Sequence, residues 1–200
     1  MLGAPKIVIA SNNAGKLREI QAILAPLDIE AIPQTELDVP EAQEPHLTFI
    51  ENALAKARHA SRYAELPALA DDSGICVDAL NGAPGVHSAR FAGEPKSDLR
   101  NNEKLVQMLA PQANRRAHYY CVMVLTRTWF DPQPIIAEGA WHGEIVLLPR
   151  GHGGFGYDPY FYLPELGKTA AELEPTEKNA ISHRGVALHA LAERLKLSPL

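Results

Sequence analysis

The sequence predicts an α/β fold built on a mixed sheet. Short β-branched runs alternate with helical patterns in the N-terminal half, two long strand-like segments follow, and the composition is globular, 46% apolar and 22% charged. At 200 residues the chain reads as a single domain spanning 1–200, long enough to bury a sizeable core. No internal repeat, low-complexity tract or linker interrupts it.

Residues 6–10 form the first strand candidate and end in the polar turn Ser11-Asn12-Asn13-Ala14-Gly15. A helix should follow, with Leu17, Ile20 and Leu24 on one face. Residues 28–33 read as a second strand closed by Pro33. The clearest helical pattern covers 46–64, with Leu47, Ile50, Leu54, Ala57 and Ser61 in phase and Thr48-x-x-Glu51 matching a capping box. Residues 67–70 and 75–80 read as short strands flanking the turn Asp71-Asp72-Ser73-Gly74, whose Asp, Ser and Gly are preferred turn residues. Ser97 is placed to cap a helix through Leu105, Val106 and Leu109. Residues 117–129 and 135–148 then form two long strands, with Asp131-Pro132-Gln133-Pro134 as a hairpin connection. The last element is a helix near 184–196, with Leu188, Leu191 and Leu195 inward.

A formal net charge of -5 argues against binding a nucleic-acid polymer, which needs a basic surface to displace counterions. It leaves a mononucleotide open, because a triphosphate needs only a few local cations. Cys76 and Cys121, the only cysteines, lie in apolar stretches and form no metal-type pair, as expected of free thiols in a reducing compartment. No apolar run reaches membrane-span length, and the segment Met1 to Lys6 lacks a signal peptide's basic start and apolar core. These features predict a cytoplasmic protein without a membrane partner.

Five groups of residues are candidates for chemistry. The run from Gly151 to Pro159 holds four glycines within six positions, followed by Tyr157 and Asp158, with Phe155 inside it. A loop that can take positive φ and carries a flat ring beside polar groups suits stacking on a nucleobase; the plain alternative is a hairpin loop with Phe155 in the core. Ser11-Asn12-Asn13-Ala14-Gly15-Lys16 lies between a strand and a helix, where backbone amides, the helix dipole and a lysine favour an anion. It fails the P-loop pattern, since Ala10 stands for the first glycine and Leu17 for Ser/Thr. Asp71 and Asp72 are adjacent, so on extended backbone only one faces a given site, where it can bind Mg²⁺ or take a proton from water. The acidic segment Glu41-Ala42-Gln43-Glu44 offers further oxygens, while Asn52 and Lys56, four apart on one helix, share a face. Lys178, Ser182, His183 and Arg184 gather donor groups before the last helix; lysine and arginine suit a carbonyl edge of a base and offer nothing to an amino edge.

The stretches Ala10 to Lys16, Thr48 to Ala53 with Lys56, Ala70 to Gly74, Gly82 to Gly85 with Ser88 to Arg90, Gly153 to Pro159 and Ile181 to Arg184 resemble, in order, those of the Ham1/inosine triphosphate pyrophosphatase family. The resemblance covers nearly the whole chain. It implies an elongated two-lobed fold with a long central mixed sheet flanked by helices, and a Mg²⁺-dependent homodimer that hydrolyses ITP, dITP and XTP to the monophosphate and pyrophosphate. By the same resemblance Asp72 is the general base and a metal ligand, with Glu44 as second ligand and Glu41 as its alternative. Ser11, Asn12, Asn13, Ala14, Gly15, Lys16, Lys56 and Ser73 hold the triphosphate. Phe155 stacks on the base, beside Gly156 and Tyr157, and Asp158, Lys178, His183 and Arg184 read it. Ser11 stands where many members carry Thr, and Gln43-Glu44-Pro45-His46 replaces a common Glu-Glu-Thr-Gly. The nearest alternative is a Maf-like pyrophosphatase acting on pyrimidine or modified nucleotides; the Phe155 loop and the Ser182-His183-Arg184 cluster favour purines.

Overall fold

The computed structural model describes residues 5–197. The first four residues, on which the reading of the N-terminus partly rests, lie outside the described residues. In chain order the elements are β1 (Lys6–Ile9), α1 (Ala14–Leu24), β2 (Glu30–Pro33), α2 (Phe49–Ala64), β3 (Ala68–Val77), α3 (Asp98–Leu109), β4 (Arg116–Thr126), β5 (Ile135–Ile145), β6 (Phe161–Leu163), β7 (Lys168–Thr169), α4 (Pro175–Ile181) and α5 (His183–Leu197), with short 3-10 turns between some of them. Among the described residues the strands form a seven-stranded sheet in the order β2-β1-β3-β4-β5-β6-β7. The sheet is mixed: β1 runs parallel to β2 and β3, whereas β6 is antiparallel to β5 and β7. No helix among the described residues is long and apolar enough to cross a membrane.

The chain divides into two compact units. The first holds residues up to Asp72, Cys121–Gly139 and the segment from Arg184 onward; the second holds Ser73–Tyr120 and Ala140–His183. In the first unit, Ile20 and Leu24 of α1 and Leu188, Leu191 and Leu195 of α5 join a core with Ile7, Ile9, Leu69, Met123 and Leu125 of the strands. The predicted inward faces of both helices are the observed ones. In the second unit, Leu105 and Leu109 of α3 pack with Ile75, Val77, Tyr119, Trp141 and Phe161. Ser97 caps α3 by accepting the Arg100 amide.

Three expectations need correction. First, Asp71 to Gly74 is no turn, because β3 runs unbroken from Ala68 to Val77 and residues 78–80 form a 3-10 turn. Local propensity disfavours Asp, Ser and Gly in a strand, but ion pairs to the Asp71 carboxylate stabilise it inside the sheet. Second, α2 starts at Phe49, with Thr48 as N-cap accepting the Glu51 amide. Its buried face is Asn52, Ala53, Ala57, Ala60 and Ser61, while Leu47 is 84% exposed. Small residues let this helix lie close to its neighbours, so the large apolar residues misidentify the inward face. Third, β4 ends at Thr126 and β5 at Ile145. The Asp131 carboxylate accepts the backbone amides of Arg127 and Gln133, at 3.0 and 2.8 Å, and so bends the chain before Trp129 and Phe130 can extend the strand.

Candidate active site

The first unit assembles a capped helix start, two lysines and a carboxylate cluster. Asn13 caps α1: its Oδ1 accepts the amides of Gly15 and Lys16 at 2.9 and 3.1 Å. Ser11 Oγ accepts the Asn13 amide, and Asn12 Oδ1 accepts a bond from buried Gln34 at 2.7 Å. The predicted Ser11–Lys16 turn is thus ordered by its own side chains, with Ala14 opening the helix. Lys16 extends from it, and its Nζ lies 2.8 Å from Asp71 Oδ2.

Because β3 is extended here, Asp71 and Asp72 diverge. Asp71 pairs with Lys16 and, at 3.7 Å, with Arg184 Nε. Burial would raise its carboxyl pKa, but Lys16, Arg184 and Lys56 outweigh burial and hold the group well below the usual carboxylate range. Asp72 meets a different set: Asn52 Nδ2 donates to its Oδ2 at 3.2 Å, and Lys56 Nζ stands 3.7 Å from its Oδ1. Burial pushes the Asp72 carboxyl up, Lys56 opposes that, and Glu44 adds to it. A more basic carboxylate is the better proton acceptor.

Lys56 Nζ also lies 2.6 Å from Glu44 Oε1, so two carboxylates converge on one ammonium. Burial works to lower the Lys56 pKa, yet Asp71, Asp72 and Glu44 together raise it, and the lysine stays charged. Glu44 is half-buried at this point, whereas Glu41 is exposed. Among the described residues no group of three or more His, Cys, Asp or Glu side chains is placed to hold a metal ion. Two converging carboxylates nevertheless fit Mg²⁺, which takes hard oxygen donors, keeps several waters and is completed by substrate phosphates. Glu44 and Asp72 are the residues that would hold it.

The second unit builds the aromatic loop and contains Ser73, the β3 residue after Asp72. Phe155 is half exposed, with Lys178 Nζ 4.9 Å from its ring centroid. Lys178 also meets Asp158 Oδ2 at 2.5 Å, and that oxygen accepts the Phe155 amide at 2.8 Å. Gly154 has φ +74°, and a Cβ there would collide with the Asp158 carboxylate, so this position requires glycine. Tyr119 donates to Asp158 Oδ1 at 3.4 Å and stacks on His183 with centroids 4.7 Å apart. Tyr157 donates to the Ser88 carbonyl at 2.7 Å, which pulls its ring into the core. Gly156 is clamped at both ends of its backbone: its amide donates to Asp98 Oδ2 at 2.7 Å, and its carbonyl accepts from Asn102 Nδ2 at 2.8 Å.

The structure therefore gathers Lys16, Glu44, Lys56 and Asp72 in one unit and Phe155, Asp158, Lys178 and His183 in the other. Arg184, grouped with His183 in sequence, joins the first unit's network, where its Nη1 lies 3.1 Å from Glu19 Oε2. Tyr119, Asp98 and Asn102 were not foreseen as site residues. For the last two a signal existed: a pair at i, i+4 at a helix start can grip one peptide unit. Tyr119 reads in sequence as one more core aromatic.

An α/β chain with a buried acid–lysine cluster and an aromatic glycine loop has the constitution of a nucleotide-processing protein. The chain belongs to the Ham1 family, whose profile matches residues 7–194. It is 66% identical over 195 residues to a dITP/XTP pyrophosphatase of Ralstonia nicotianae, covering 96% of this chain and 97% of the relative. A dITP/XTP pyrophosphatase of Nitrosomonas europaea is 68% identical over 190 residues, covering 95% and 94% respectively. Among solved structures, a HAM1 protein from Coxiella burnetii superposes with a TM-score of 0.94 at 50% identity, covering 97% of this chain and 100% of that one.

Proposed function

We propose that the protein is a nucleoside triphosphate pyrophosphatase that hydrolyses inosine- and xanthine-type purine nucleotides (ITP, dITP, XTP) and so removes them from the nucleotide pool. The observation that carries this reading is the convergence of buried Asp72 and of Glu44 on Lys56 in a chain two-thirds identical to a dITP/XTP pyrophosphatase. In the proposed reaction Asp72 accepts a proton from water, and the water oxygen bonds to the α-phosphorus. The bond from that phosphorus to the bridging oxygen breaks, and pyrophosphate leaves with the electron pair. Bound at Glu44 and Asp72, Mg²⁺ supplies charge neutralisation for the phosphates. Lys16, Lys56, Ser73 and the Ser11–Gly15 turn bind the triphosphate, where fixed positive charge stabilises the developing anion. Phe155 takes the base by stacking, flanked by Gly156 and Tyr157. Lys178 and His183 donate to a 6-oxo group, and Asp158 orients Lys178; Arg184, whose guanidinium meets Asp71 and Glu19, is assigned to base reading by the family resemblance alone. An adenine amino group would leave such donors unpaired, which disfavours ATP.

The family resemblance supports a homodimer, and the free thiols Cys76 and Cys121 fit a reducing cytoplasm. A turnover panel of ITP, XTP, dITP, GTP, ATP and TTP with Mg²⁺, scored for pyrophosphate, tests the reading. Preferential release from ITP, dITP and XTP is expected; equal rates on ATP, or release of orthophosphate, would overturn it.

A further inference from the structure

Asn52 is 1% exposed on α2 and sits on a face otherwise made of small residues. Asparagine is a poor helix former, and a buried amide is tolerated only when its polar atoms are satisfied. Its side chain makes three bonds in two directions. Oδ1 accepts the His46 backbone amide at 3.0 Å. Nδ2 donates to the His46 carbonyl at 3.3 Å and to Asp72 Oδ2 at 3.2 Å. An amide nitrogen carries two hydrogens, so both donations can be made together.

His46 closes the short segment that carries Glu44. One side chain therefore grips the His46 backbone, two residues from Glu44, through both amide atoms and reaches the Asp72 carboxylate through Nδ2. It holds Asp72 through Oδ2, whereas Lys56 approaches through Oδ1. The lysine binds both carboxylates, but a divalent cation would compete with it for the same oxygens.

We propose that Asn52 is a positioning residue that ties the Glu44 segment to Asp72 and thereby fixes the spacing of these two carboxylates for one Mg²⁺. The proposal rests on the assignment of Glu44 and Asp72 as metal ligands under the function proposed above. Partners that orient metal ligands typically affect metal affinity or activity by roughly 10–100-fold.

The test uses the full chain. Mn²⁺ binding without nucleotide is followed by electron paramagnetic resonance, backbone exchange at His46 by hydrogen exchange, and kcat and KM for ITP across a Mg²⁺ titration. Asn52→Ala should weaken Mn²⁺ binding and raise the Mg²⁺ requirement roughly 10–100-fold, with faster exchange at His46 and KM for ITP at saturating Mg²⁺ within about twofold. A folded Asn52→Ala protein whose Mn²⁺ affinity stays within about twofold of wild type would overturn the proposal. Wild type provides a check that does not depend on that variant folding. The Asn52 side-chain amide should give a slowly exchanging nuclear magnetic resonance signal that shifts with Mg²⁺ at the midpoint of activation. A signal unmoved by Mg²⁺ would also overturn the proposal. If wild type itself binds no divalent ion, the metal reading fails together with this inference; if wild type binds and the variant matches it, only the role of Asn52 fails.

Discussion

Replacing Asp71 by Asn should cost stability, and the structure sets the size of the loss. The carboxylate is 2% exposed and faces two cations, Lys16 and Arg184. Removing one partner of a buried ion pair typically costs about 3–5 kcal/mol, because the remaining charge is left uncompensated. Two features place this case at the lower end. Lys16 is 19% exposed and can turn to water, and Arg184 keeps Glu19 as a partner. We therefore expect a loss of about 3 kcal/mol. At this chain length that corresponds to a fall in Tm of roughly 6–12 °C. Thermal unfolding followed by circular dichroism, without added metal, is the assay. A fall in Tm below about 2 °C would correspond to less than 1 kcal/mol and refute the argument that Asp71 anchors the pair.

The same assay has a signed pH dependence. The folded Asp71 carboxyl is held below its unfolded value, so its stabilisation is fully present above the unfolded pKa of about 3.9. It is lost progressively as pH falls from that value through the folded pKa. The stability gap between wild type and Asp71→Asn should therefore be flat from about pH 5 to 8 and shrink below about pH 4. A gap that grows toward low pH would reverse the assigned sign.

Asp72→Asn should instead leave Tm nearly unchanged while cutting kcat roughly 10²–10⁴-fold, and a variant retaining more than about a tenth of the wild-type kcat would remove Asp72 as the base. Activity should vanish in excess chelator and return with Mg²⁺; full turnover in verified metal-free buffer would sink the cation-assisted mechanism. Phe155→Ala should raise KM for every accepted nucleotide by a factor equivalent to roughly 1–3 kcal/mol, and an unchanged KM would place the ring outside the base site. Cys121 is buried and its pKa is pushed up to about 12, so the native protein at pH 8 should not be alkylated there; peptide mapping after iodoacetamide checks this.

The sequence-readable elements were those with a local cause. The inward faces of α1 and α5 follow from leucine and isoleucine at helical spacing, and Ser97 announces its helix by capping chemistry. Strand β3 was illegible because its cause is remote: Asp71 is stabilised by Lys16, 55 residues earlier, and by Arg184, more than a hundred later. Both cations were visible as residues, but nothing in their spacing links them to that strand. The inward face of α2 was legible only at Ala57 and Ser61, for a different reason. Alanine contributes little to a hydrophobic pattern, yet it is what permits close packing.

Site legibility divides along the same line. The Phe155 loop was readable because its glycines meet a local backbone need, with Asp158 occupying the space a Gly154 side chain would take. Residue type alone nominates the Asp71-Asp72 pair, Lys56 and the Glu41–Glu44 segment, and only the family resemblance singles out Asp72 and Glu44. An unbroken β3 gives the two aspartates different partners, because alternation along an extended strand sends Asp71 to Lys16 and Arg184 and Asp72 to Asn52 and Lys56. A turn at 71–74 would have carried no such alternation. The misread element therefore matters for the proposed site: with β3 extended, one aspartate faces two cations of the first unit, and its neighbour, proposed as the base, faces Asn52 and Lys56 beside Glu44.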